Sequence, residues 1–134
     1  FAALRDAPMA MTAHVVYSAI DPNAPATTSP IAVKTIMREQ IGFHGLILSD
    51  DLSMKALDGP LSHRAQSALF AGCDLALHCN GDMGEMLEVA SEVKELEGIS
   101  LKRSDFALSH LRGANSFDPA AAQARLSELL GASR

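Results

Sequence analysis

Asp50 and Asp51 close a short apolar run, Gly45-Leu46-Ile47-Leu48-Ser49. A carboxylate at such a tip can act as nucleophile, general base or metal ligand. The competing reading is a carboxylate tied to loop amides or capping a helix. Successive side chains leave a strand toward opposite faces, so the two acids need not share one task. Asp51 is expected to order the loop that follows, leaving Asp50 as the candidate for chemistry. Two ionised carboxylates forced into one site would also push one pKa up.

Other residues stand at similar places. His14 ends the apolar run "APMAMTAHVV" (7–16), where it can meet a substrate or serve as a satisfied rim histidine. Cys79-Asn80 ends a third run, "CDLALHCN". Met54, in the loop after the acids, is the one methionine placed to line a pocket, and the rest read as core filler. Lys55 reads as a solvated loop cation. Ser49 and Ser53 lack a G-x-S-x-G setting. "NGDMGEM" offers no G-x-G-x-x-G and no Lys-Ser/Thr, so no phosphate cradle is expected. His44, His63, His78 and His110 read as bystanders, in a tight turn, on a helix and within a strand for the first three. No pair of histidines has H-x-x-x-H spacing, and no Cys/His cluster suggests zinc. No metal or other cofactor is expected.

These residues need elements to hold them. "YSAIDPNAPATTSP" is a long loop after His14. Ser29-Pro30 predicts a helix N-cap followed by proline at the first helical position, with Gly42 as the stop. "LSHRAQSALFAG" predicts a second helix ended by Gly72, and "DMGEMLEVASEVKELE" a third with an acidic first turn. Two further helices are predicted over 104–111 and 119–130, with Ser104 and Asp118 as caps. Strands alternating with helices imply an α/β fold built from parallel β/α units with right-handed crossovers. The loops leaving the strand ends are long, and those returning to the strands are as short as "GFHG" and "GC". Polar residues and long loops thus share the carboxyl-end rim, where such folds place function.

Composition bounds the rest. The chain has 134 residues, eleven basic against sixteen acidic, for a net charge of −5. That balance, without a Lys/Arg cluster, argues against a nucleic-acid partner. No apolar run approaches the ~18 residues of a membrane span. Cys73 and Cys79 are expected in one strand, too far apart to bond, as reduced thiols of a cytosolic protein. The sequence begins "FAALRDAP" without an initiator Met, so the true N-terminus is expected elsewhere.

The segment "GFHGLILSDDLSMKAL" resembles the nucleophile signature of family 3 glycoside hydrolases. Its S-D-D-L-S-M form is similar to the β-N-acetylglucosaminidase branch, where the β-glucosidases more often show Ser-Asp-Trp. "PMAMTAHVVYSAIDPNAPATTSP" and "RAQSALFAGCDLALHCN" resemble the neighbouring elements in order and spacing, so the likeness runs from residue 7 to about 111.

The resemblance implies a (β/α)8 barrel, of which residues 1–134 supply the C-terminal portion: three parallel β/α units and the C-terminal helices. It implies that Asp50 is the nucleophile of a retaining exo-β-N-acetylglucosaminidase, with hydrogen-bond donors around it to keep it ionised. His14 would help bind the sugar in the −1 subsite. The substrate class would be GlcNAc–anhydro-muramyl peptides of cell-wall recycling in the cytoplasm, and the other partner would be the N-terminal part of the barrel. This branch is expected to draw its acid/base from a His–Asp pair in a motif resembling K-H-F-P-G-H-G, which this sequence lacks. The chain alone is therefore expected to be inactive. A phospho-accepting receiver and a barrel relative without chemistry remain as competing readings. The first needs about five strands, and a lysine after the last.

Overall fold

Two glycines decide where the first helical segments stop. Gly42 (φ +74°) and Gly72 (φ +115°) both sit in the left-handed region, as the helix-stop reading requires. At Gly72 the neighbouring amides close the end, Gly72 N–H to Leu69 O at 3.1 Å and Cys73 N–H to Ala68 O at 3.1 Å. The computed structural model describes residues 2–113 and 116–131. Its elements are β1 (Met9–Met11), a 3₁₀ turn (Ala26–Thr28), a π-helix (Ile31–Gln40), β2 (Leu46–Asp51), α1 (Leu61–Ala71), β3 (Leu75–Leu77), α2 (Met83–Glu92), α3 (Gly98–Ser109) and α4 (Pro119–Gly131). Another 3₁₀ turn, Ala2–Leu4, precedes β1.

The three strands are parallel and lie in chain order, β1-β2-β3, as the alternating pattern predicts. Caps were legible too. Ser29 Oγ accepts from Ala32 N–H (3.1 Å); Asp82, expected only within an acidic first turn, proves to be a cap as well, its Oδ1 accepting from Glu85 N–H (3.0 Å). Asp118 Oδ1 takes the amides of Ala120 and Ala121 at 2.9 and 3.2 Å. Ser29 also donates to Asp21 Oδ2 at 2.6 Å. That bond, with the Asn23 amide behind it, holds the Asp21 carboxyl below the usual carboxylate range. α1 has no cap of its own. Glu88 of α2 reaches across instead, and its Oε1 accepts from Ser62 N–H (3.0 Å) and Ser62 Oγ (3.1 Å).

Four expectations need correction, the first being the third predicted helix, which stops at Glu92 where Val93 turns extended instead of running to 97. β3 covers only 75–77, so Cys73 precedes it, Cys79 follows it, and His78 lies just past its end rather than inside it. β2 runs through Asp51 instead of stopping before the acids. Ser104 is interior to α3, which starts at Gly98 because Gly98 (φ +59°) lets the chain turn into it.

The core lies between the sheet and its helices. Ile47 and Leu52 of the β2 segment are fully buried against Val33 of the π-helix and against Ala65, Ala68 and Ala71 of α1. Alanines on that stripe let α1 approach the sheet closely. Cys73 joins this core, and burial pushes its thiol up to about 11, which makes it inert. On the other face, Met9 and Met11 of β1 remain half-exposed, in register with Leu46 and Leu48.

Gly45 shows how tightly β2 meets the segment before β1. A Cβ there would stand 2.5 Å from Ala7 O and 2.7 Å from Pro8 O. Both obstacles are backbone, so neither can rotate away. Gly45→Ala is expected to lower the unfolding free energy by about 1–3 kcal/mol, the range for overpacked sites. Urea denaturation reads this directly, and an unchanged midpoint would contradict it.

Candidate functional site at the strand ends

A bulge in β2 falls between Leu48 and Asp51, over Ser49 and Asp50. Leu48 pairs with Leu75 and Asp51 with Leu77, so β2 carries one residue more than β3 over this interval. The ladder is interrupted there, and Leu77 N–H donates to the Ser49 hydroxyl at 2.8 Å. Leu52 N–H then returns to Leu77 O at 2.8 Å. Bulges bend a strand and re-aim its side chains, and they gather beside active sites.

The bulge separates the fates of Asp50 and Asp51. Asp51 is turned to local work, as expected of it. Its Oδ1 accepts from Ser53 N–H (3.0 Å) and Cys79 N–H (3.3 Å), and its Oδ2 from Ser53 Oγ (2.7 Å). The Ser53 amide leads in holding this carboxyl below the ordinary range, against the opposing effect of partial burial. Asp50 takes one bond, Asp51 N–H to Oδ1 at 2.8 Å. Its Oδ2 has no hydrogen bond among the described residues. The donors expected around Asp50 are therefore mostly on its neighbour, because the bulge presents the Ser53 and Cys79 amides to Asp51.

His14 lies in the loop just past β1, and both its ring nitrogens are engaged. Nε2 is 2.9 Å from Asp51 O, and Nδ1 is 2.8 Å from Thr27 Oγ1. A carbonyl can only accept, so Nε2 carries the proton and donates to it. Nδ1 is left to the Thr27 hydroxyl, which also pairs with Thr12 Oγ1 at 2.9 Å. Thr12 and Thr27 are buried. This chain joins β1, the Ala26–Thr28 turn and the end of β2. What His14 still offers outward is ring carbon rather than a nitrogen. Met54 follows the acids at 44% exposure.

The rest of the rim belongs to β3 and α2. Asn80 is used locally: its Oδ1 accepts from Asp82 N–H (2.9 Å), and its amide group donates to Glu85. His78 is the residue that sequence reasoning passed over. Its side chain is 6% exposed, with Nε2 3.3 Å from Glu85 Oε2 and Nδ1 4.0 Å from Asp51 Oδ1. Neither nitrogen completes a hydrogen bond. Only the alternation of the run "CDLALHCN" could have pointed to it, and that signal reads equally as a buried strand residue. Among the described residues no group of three or more His, Cys, Asp or Glu could hold a metal ion. Among the same residues no helix is long and apolar enough to cross a membrane. An apolar cavity of about 600 Å³ lies elsewhere, beside β1, walled by Met9, Met11, Tyr17, Ile36, Met37 and Ile41.

Comparison with known proteins gives this geometry a family. The family described as "Glycosyl hydrolase family 3 N terminal domain" matches residues 1–112. A beta-hexosaminidase of Shewanella frigidimarina is 54% identical over 76 residues, covering 55% of this chain and 22% of that protein. One of Vibrio cholerae is 39% identical over 119 residues, covering 84% of this chain and 35% of the relative. The crystal structure of native NagZ from Neisseria gonorrhoeae superposes with a TM-score of 0.62 at 33% identity, covering 88% of this chain and 31% of that one. The chain thus spans about a third or less of the relatives it matches. With a match over most of its length and a parallel β/α framework to carry it, the chain belongs to glycoside hydrolase family 3.

Proposed function

We propose that this chain is the C-terminal portion of a (β/α)8 barrel whose full-length protein is a retaining exo-β-N-acetylglucosaminidase. Asp50 is its nucleophile. The observation that carries the reading is the division of labour at the bulge: Asp51 is tied to three donors, while Asp50 keeps an oxygen uncommitted at a strand end. Two further observations support the barrel. Met9 and Met11 leave an apolar face uncovered, and the cavity beside β1 has the lining that a preceding β/α unit would bury.

The chemistry follows from these parts. Asp50 attacks the anomeric carbon, and the bond to the leaving oxygen breaks as a glycosyl ester forms. A group outside this chain delivers the proton to that oxygen. Water then attacks the same carbon, giving its proton back to that group, the ester bond breaks, and Asp50 is regenerated as a carboxylate. Two inversions at one carbon give net retention. The strand supplies rigidity, which keeps the carboxylate within attacking distance. Met54 walls the sugar, and His14 contributes to the −1 subsite through its ring while its nitrogens hold the strand end. No cofactor takes part. The substrate we assign is terminal β-linked GlcNAc on anhydro-muramyl peptides of the cell wall, turned over in the cytoplasm. The gonococcal relative, crystallised in complex with N-trifluoroacetyl-D-glucosamine, supports the sugar part of that assignment.

The full-length protein should hydrolyse an aryl β-N-acetylglucosaminide and release the β-anomer first, as proton NMR would show. Initial release of the α-anomer would exclude a covalent intermediate. The isolated chain should be essentially inactive, because proton delivery alone contributes ~10²–10⁴-fold and its donor lies elsewhere. Robust turnover by these 134 residues would place the acid/base within them and overturn the barrel reading.

A further inference from the structure

The loop after Asp51 is held at both ends by one side chain. Arg64, on the first turns of α1, donates through Nη1 to Leu52 O (2.8 Å) and Met54 O (3.1 Å), and through Nε to Gly59 O (2.8 Å). Those carbonyls begin and finish the β2–α1 loop. Gly59 sits in the left-handed region at φ +82°, which turns the chain there. Around them several further backbone groups are engaged. Asp51 O takes His14 and the Met54 amide, Leu52 N–H reaches Leu77 O, and Ser53 N–H reaches Asp51 Oδ1.

We propose that Arg64 is a positioning residue for the reaction, a clamp that fixes the bulged strand end carrying Asp50 and the rim that carries Met54. The inference rests on Asp50 being the nucleophile. Leu52 is fully buried and two residues from Asp50, so freedom gained at its carbonyl is transmitted to the acid through very few rotatable bonds. Lysine does not substitute. A guanidinium spreads its donors over a rigid fork that spans separated acceptors, whereas an ammonium presents its donors at one point. His14 holds the same segment from the β1 side, so the strand end is gripped from two elements.

The test uses the full-length protein with an aryl β-N-acetylglucosaminide. Arg64→Ala should lower kcat about a hundredfold, the scale of a small misplacement, with a much smaller change in KM. Arg64→Lys should remain well below wild type. Millimolar guanidinium should restore part of kcat to Arg64→Ala and none to Asp50→Ala, a rescue that general destabilisation would not show. Amides of residues 50–57 should exchange faster in Arg64→Ala, with residues 46–48 and α1 unaffected. Wild-type kcat in Arg64→Ala beside an inactive Asp50→Ala overturns the clamp and leaves the nucleophile in place. An active Asp50→Ala removes the nucleophile and the clamp's role together. Should Arg64→Ala not fold, wild-type kcat in Arg64→Lys overturns the proposal.

Discussion

Asp50→Ala in the full-length protein is expected to cut kcat by about 10⁴–10⁶-fold, the scale of removing one member of a nucleophilic constellation. KM should change little, since the sugar contacts remain. The size of the loss follows from the role proposed for the residue. Without the carboxylate no glycosyl ester forms, and water must attack an unassisted anomeric carbon. Asp51→Ala is the informative contrast, because the two acids are adjacent in the chain and differ in their bonds. Asp51 holds the Ser53 turn and the Cys79 amide, so its loss loosens the strand end without removing the attacking atom. A drop of about 10–10²-fold is expected there, the cost of misplacement.

Trapping gives a second readout of the same claim. A fluorinated GlcNAc glycoside whose glycosyl-enzyme hydrolyses slowly should leave the sugar on the peptide containing both acids. Fragmentation should then place it on Asp50. A sugar on Asp51, or Asp50→Ala within tenfold of wild type, would mean that the bulge sorts the acids the other way.

How much of this could be read from residues alone depends on the range of the interactions. Local devices were legible. Gly42 and Gly72 stop helices because only a left-handed residue closes those ends, and Ser29 and Asp118 cap because their oxygens reach amides a few residues away. The parallel order of three strands followed from alternation, and the family from one contiguous signature. The rest was set at a distance. The bulge exists only relative to β3, so no inspection of 46–51 could reveal it. Strand ends were misjudged for the same reason, since β3 stops where its ladder to β2 stops. Glu88 capping α1, and Arg64 gripping three carbonyls, depend on how α1 meets its neighbours. His14 shows the intermediate case. Its place at the rim was legible, but the Thr12–Thr27 chain that uses up its nitrogens was not.

Asp74 is the residue at the opposite rim on which the second large effect is expected. It stands immediately before β3 with its side chain 2% exposed, and four donors converge on it. Oδ2 accepts from Arg38 Nη2 (2.6 Å) and Ile47 N–H (2.8 Å), and Oδ1 from Ser100 Oγ (2.6 Å) and Arg103 Nη1 (2.8 Å). One carboxylate thus joins the π-helix, the start of β2 and α3. Burial by itself would raise the Asp74 pKa, but the Ser100, Ile47 and Arg103 bonds together with Arg38 outweigh it and hold the carboxyl below its ordinary value. Burial in turn pulls the Arg38 guanidinium down, and Asp74 opposes that. Removing the acid leaves two enclosed guanidinium groups facing each other without a counter-charge. Asp74→Ala should therefore destabilise the full-length protein by about 3–5 kcal/mol, the range for breaking one partner out of a buried pair. Asp74→Asn keeps the shape and isolates the charge. Because the folded pKa is depressed, the stabilisation is fully present above the unfolded value of about 3.9, and is lost as pH falls past it and through the lower folded value. Asp21 and Asp51 shift in the same direction, so the wild type should lose stability steeply on that acid limb. Asp74→Asn should begin less stable at neutral pH and show a shallower limb below about pH 4, as urea midpoints across pH would record. Parallel limbs in the two proteins would show that the four bonds stabilise the neutral and charged acid alike, and that this rim is held by packing instead of by charge.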